Sequence, residues 1–138
     1  AWATCDKVLA EMLARADTSA RAENGWVDPH NGGDYSVILH TDTVLKTSRN
    51  TNPEKSVGHQ LYTDKQVITL VSPNTWSCSV YACSESQGFS IKDFSTNYCD
   101  VKNLYCGSSE GCKPVLHDFP TSELWVEASS GQSDWSDC

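Results

Sequence analysis

Apolar side chains at Trp2, Cys5, Val8, Leu9, Met12, Leu13 and Ala16 recur at intervals of three and four residues. That spacing places them on one stripe of an α-helix and predicts an amphipathic helix from about Thr4 to Ala16. Thr4 is placed to cap its start, because a hydroxyl there accepts an orphan backbone N–H. The pattern fades by Ser19. Glu23 to Asp34 then carries Asn-Gly, Asp-Pro and Gly-Gly, which predict a long loop anchored by Trp26 or Val27.

From Tyr35 the period shortens to two. Tyr35, Val37 and Leu39 alternate with polar residues, and the pattern resumes at Val44 after His40 to Asp42. The stretch from Val57 to Val71 reads as a hairpin turning at Thr63-Asp64-Lys65. Trp76, Cys78 and Val80 share one face of another strand. Further strands are expected over 88–94, 113–119 and 122–128, whereas the stretch after Phe94 shows little apolar periodicity and reads as a long loop. One helix followed by hairpin-linked strands predicts an α+β domain, with the N-terminal amphipathic helix packed on a disulfide-stapled antiparallel sheet. In layer order alone, such a wrap resembles cystatin-like and nuclear-transport-factor-like domains. At 138 residues the chain is expected to form a single secreted disulfide-rich domain over 1–138, with a flexible acidic tail over 129–138.

Seven cysteines change the picture. Their spacing suits neither zinc, for want of a Cys-x-x-Cys pair and of clustered histidines, nor thiol redox catalysis. It suits structural bridges in an oxidising compartment. Cys5, Cys78, Cys83, Cys99, Cys106 and Cys112 are therefore expected to form internal bonds. Cys106 and Cys112 bracket a Gly/Ser turn, and one of Cys78 and Cys83 should reach Cys5 while the other reaches the Cys99 loop. Cys78 and Cys83 are five apart, an odd offset that sends them to opposite faces of a strand. The odd seventh, Cys138, is assigned to an intermolecular contact together with Trp135, a lone aromatic in the polar tail. The absence of an initiator Met is read as a mature chain whose secretory leader has been removed.

The net charge of −8 argues against nucleic acid and against docking on anionic lipid, and no apolar run is long enough to insert in a membrane. No motif supplies a catalytic constellation, and no cofactor is expected. His117-Asp118 reads as a surface pair. The loop "DPHNGGD" gathers Asp28, His30, Asn31 and Asp34 around two glycines, so Asp28, Asn31 and Asp34 are calcium candidates. Thr47, Ser48 and Thr51, just before Pro53, read as an exposed polar stretch open to O-linked sugars. These readings point to an extracellular, non-catalytic structural protein that assembles with other copies of itself as a filament, coat or matrix subunit. A secreted binding module for carbohydrate, a small ligand or a receptor is the alternative, and a small secreted hydrolase the second alternative.

Overall fold

A computed structural model describes residues 1–87, 96–126 and 138 of the chain. Helix α1 spans Cys5–Ala16, α2 Thr18–Asn24 and α3 Thr96–Tyr105. Strands β1 (Asp34–His40), β2 (Val44–Asn50), β3 (Thr63–Asn74) and β4 (Ser77–Ser86) form one antiparallel meander in the order β1-β2-β3-β4. The helices lie on one face. The predicted α+β architecture is therefore present, and the Cys5–Cys78 disulfide joins the start of α1 to β4.

The first helix follows its apolar stripe. Val8, Leu9, Met12 and Ala16 meet Tyr35, Leu45, Ile68 and Leu70 of the sheet, with Leu104 and Phe119 completing the core. Thr4 occupies the N-cap position, but its side chain makes no capping bond. Trp2, placed on the stripe by spacing, lies before the helix and is exposed. Because Met12 is fully buried, Met12→Ala should destabilise the fold by about 2–5 kcal/mol in chemical denaturation.

Four elements depart from the sequence-based expectation. Helix α2 occupies the stretch where the pattern fades. Asp17 caps it by accepting the Ala20 N–H at 2.9 Å, and Gly25 closes it at φ 70°. The left-handed conformation at Gly25 is one that a residue lacking Cβ adopts readily. Strand β3 begins at the predicted turn, Thr63-Asp64-Lys65, because Asp64, Gln66, Ile68 and Leu70 all point inward, and the strand predicted before it is replaced by a short 3-10 helix at Val57–His59. The predicted loop after Phe94 contains α3, whose inward positions are mostly polar: Asp100, Lys102 and Asn103 beside Leu104. Finally, 113–126 is irregular and forms neither predicted strand over its described residues. The strand expected over 88–94 and most of the tail, with Trp135, lie outside the described residues.

The inner face of the sheet has two chemistries. The cross-strand rows Tyr35–Arg49–Asp64 and Thr47–Gln66–Ser84 form a polar end. Leu45, Ile68 and Leu70 form the apolar end, which receives α1. Helix α3 sets Asp100 against the polar end, where Oδ2 accepts from Gln66 Nε2 at 3.1 Å and from Ser84 Oγ at 3.3 Å.

Candidate functional site

Arg49 is fully buried at the centre of the polar end. Its Nε donates to Asp28 Oδ2 at 2.8 Å and lies 3.3 Å from Asp100 Oδ1. One terminal nitrogen also donates to the His30 carbonyl. The guanidinium stands over the Tyr35 ring, 5.8 Å from its centroid. Gly33 has no room for a Cβ, because the guanidinium lies directly against it. Asp64 faces Arg49 across the β2–β3 register, and neither of its buried carboxylate oxygens has a hydrogen-bond partner among the described residues. One buried cation thus serves three buried carboxylates. Burial pushes the Asp100 carboxyl well above the usual range, with Asp64 and Asp28 adding to the rise, while Arg49 and, less so, the Ser84 hydrogen bond pull it downward. Asp100, Tyr35 and Asp28 together outweigh the burial of Arg49 and hold it protonated.

A second buried charge pair braces the opposite end of α3. Arg15 Nε donates to Glu11 Oε1 at 2.7 Å, and its terminal nitrogens donate to the carbonyls of Asn103 and Cys106 at 2.9 Å each. Glu11 accepts the backbone N–H groups of Val115, Leu116 and His117 at 2.6–2.7 Å. Burial raises the Glu11 pKa, but these donors and Arg15 outweigh it and hold the group below its ordinary value. Glu11 thereby fixes the otherwise irregular strap after Cys112. Lys102 is likewise saturated, by Glu110 at 2.5 Å and Glu123 at 3.0 Å.

Between these two networks lies a cleft of about 690 Å³, a size within the ~300–1,000 Å³ usual for small-molecule sites. Trp26, Val27 and Pro29 line one part and Pro114 and Val115 another, while Asn103 and the saturated Arg15 and Lys102 also contribute. Asn103 links the cleft to the Arg49 cluster. Its Nδ2 donates to Asp28 Oδ1 at 2.9 Å, whereas its buried Oδ1 has no partner among the described residues. The amide orientation follows from chemistry, since a carboxylate can only accept.

The calcium candidates are not brought together. Asp28 is buried and accepts from Arg49, from Asn103 and from the backbone N–H groups of His30 and Gly33. Asp34 is turned outward to Arg21 at 2.5 Å, and Asn31 is an exposed residue at φ 62°. Among the described residues, no three of His, Cys, Asp and Glu form a metal-binding group. The turn residues of this loop serve Arg49 instead. The stretch holding Thr47, Ser48 and Thr51 is mostly strand β2, and two of these three hydroxyls are inside. Thr47 donates to Gln66 Oε1 at 2.7 Å, Thr51 is buried against the Gln60 and Tyr62 carbonyls, and Ser48 pairs with Ser36 Oγ at 2.8 Å. An exposed glycosylation stretch does not describe them.

The cysteines pair as Cys5–Cys78, Cys106–Cys112 and Cys99–Cys138. The first two match expectation. The third corrects it, since Cys138 is held inside its own chain and Cys83 is the cysteine left with a free thiol. The odd offset still sends Cys78 inward and Cys83 outward, and Cys83 is exposed. It ends the outer row Leu39–Lys46–Val67–Cys83 across all four strands. Tyr81, Val71, Val67 and Leu39, all outward, are 63%, 47%, 40% and 47% exposed. No helix of the described residues is long and apolar enough to cross a membrane. Comparison with protein families, with curated proteins and with solved structures finds no match to the chain.

Proposed function

We propose that this chain is an extracellular, non-catalytic structural protein that associates with copies of itself through the outer face of its sheet, with Cys83 joining two copies. The observation that carries the reading is the exposed Cys83 thiol at the end of the outward row Leu39–Lys46–Val67–Cys83, beside exposed Tyr81 and Val71, in a chain whose other six cysteines are paired. Three internal disulfides suit an oxidising compartment, where a lone exposed thiol does not persist. Lys46, Lys65 and Glu85 share the outer face, so it escapes the acidic excess that would hold two chains of net charge −8 apart.

Cys83 meeting its own copy is a two-fold contact, which closes as a dimer. The bond forms by exchange with a small-molecule disulfide. One Cys83 thiolate attacks it, giving a mixed disulfide and one released thiol. The second copy's thiolate then displaces the other thiol. Two protein thiols are oxidised and one small disulfide is reduced to two thiols. Sedimentation without reductant should show a dimer that Cys83→Ser abolishes, with the melting temperature unchanged. A wild-type chain that stays monomeric in the presence of such a disulfide would refute the reading.

A further inference from the structure

We infer that two copies join along the open edge of β4, each β4 pairing antiparallel with the other about Cys83, so that the two sheets become one. The inference rests on the self-association proposed above and assigns its contact. Hydrogen-bond parity defines the edge. Along a strand, the backbone N–H and C=O of successive residues turn to alternate neighbours. Gln87 donates its N–H to Thr63 at the start of β3, so the odd-numbered residues of β4 face β3. Leu70, the register partner of Val80, donates its own N–H to Thr43 beside β2, so the even-numbered residues of β4 face away. Cys78 agrees, exchanging both backbone bonds with Ala1 on that far side, at 3.0 and 2.9 Å. Beyond Cys78, the backbones of Val80, Ala82, Ser84 and Ser86 have no hydrogen-bond partner there among the described residues. Such a row is a template for another strand. Ala82 lies opposite the inward Ile68 yet is exposed, so the helices leave the edge uncovered at that point.

The occupant that fits is a second β4. The open stretch from Val80 to Ser86 is centred on Cys83, so self-pairing uses all of it only when Cys83 stands opposite its own copy. Ala82 then meets Ser84, and Val80 meets Ser86, as hydrogen-bonded pairs. Cys83, whose backbone is turned to β3, forms the non-hydrogen-bonded pair at the centre. Cα atoms in such a pair lie about 4.5 Å apart, within the ~4.4–6.8 Å that a disulfide spans. Charge permits the same register. Glu85 faces Tyr81 of the other copy, and each Glu85 already has Lys65 of its own β3 beside it. The two Glu85 carboxylates are roughly 14 Å apart along the ladder, beyond the ~8 Å screening length at physiological salt. Tyr81 and Cys83 of both copies then lie side by side on one continuous outer face.

Amide hydrogen exchange on the Cys83-linked dimer tests the contact, with the Cys83→Ser chain as the monomer. The Val80, Ala82 and Ser84 amides should exchange about tenfold more slowly in the dimer, whereas those of Tyr81 and Glu85, bonded to β3, should be equally protected in both. Ala82→Pro gives a second measure. It removes an N–H that faces away from β3, so the ladder within the chain is kept, while the pairing loses one bond from each copy. In a glutathione buffer that leaves the wild type partly dimeric, the equilibrium constant for dimer formation should fall about tenfold, and the melting temperature of the reduced chain should not change. A linked dimer whose Val80, Ala82 and Ser84 amides exchange as in the monomer would overturn the edge pairing and leave self-association standing. Undiminished dimer formation by Ala82→Pro would do the same. A wild-type chain that forms no dimer under oxidation would overturn both.

Discussion

Arg49→Met should destabilise the protein by about 3–5 kcal/mol at neutral pH, the range observed when one partner of a buried ion pair is removed. Against a typical stability of about 5–15 kcal/mol, that change approaches loss of the fold. The reason is the imbalance around Arg49. Asp28, Asp64 and Asp100 are all buried, and the substitution leaves them together without a cation. The penalty should also depend on pH with a definite sign. The Asp100 pKa is already raised in the folded chain by burial and by its acidic neighbours. The folded state therefore holds a proton that the unfolded state releases, and stability falls as pH rises from the ordinary aspartate value through the raised one. Removing Arg49, the downward influence, carries Asp100 higher and widens that window. The difference between variant and wild type should grow as pH rises above the ordinary aspartate range and shrink as pH falls back toward it. Below the ordinary glutamate range a different effect enters for both proteins. The lowered pKa of Glu11 contributes stability that is lost as pH falls through its folded value. Urea denaturation across this range checks the pattern, and a pH-independent difference would contradict it.

The second large effect concerns the bridges. Cys5 and Cys78 are 73 residues apart, whereas Cys106 and Cys112 are separated by 6. In the chain-entropy treatment, the longer closure contributes about 4 kcal/mol and the shorter about 2. Cys5→Ala/Cys78→Ala should accordingly destabilise the fold about twice as much as Cys106→Ala/Cys112→Ala. The longer bridge also anchors the start of α1 to β4, beside the core residues Val8 and Leu70. Reduction of all three bonds should lower the melting temperature further than either double substitution. Equal melting with and without reductant would mean that the polar and apolar cores hold the fold without them.

The sequence disclosed its apolar half. The stripe of α1, the inward Tyr35 and Val37 of β1, and the opposite facing of Cys78 and Cys83 follow from side-chain period alone, whereas a bulge between Val37 and Leu39 turns Leu39 outward and Trp76, expected beside Cys78 and Val80, lies exposed in the turn before β4. What stayed hidden shares one cause: polar residues on inward positions. Asp64 and Gln66 continue the period-two pattern of Ile68 and Leu70, yet their chemistry reads as a turn. Thr47 and Arg49 continue the period of Leu45 in the same way. Helix α3 presents Asp100, Lys102 and Asn103 to the interior, so no apolar stripe marks it. Helix α2 had a legible signal in Asp17 and Gly25, a capping residue and a C-terminal glycine bracketing a short polar segment. The Cys99–Cys138 bond had no such signal, because pairing across irregular chain depends on the path of the backbone, which residue period does not encode. The Asn103–Asp28 hydrogen bond was invisible for the same reason, since its partners lie 75 residues apart.

The self-association reading turns on the state of one sulfur. Intact mass spectrometry of chain recovered from an oxidising secretory compartment, without reductant and after thiol alkylation, reads that state directly. The predicted result is a two-chain mass that takes up no alkyl group and yields a peptide in which Cys83 is bonded to Cys83 of a second copy. A one-chain mass with Cys83 alkylated would contradict the account.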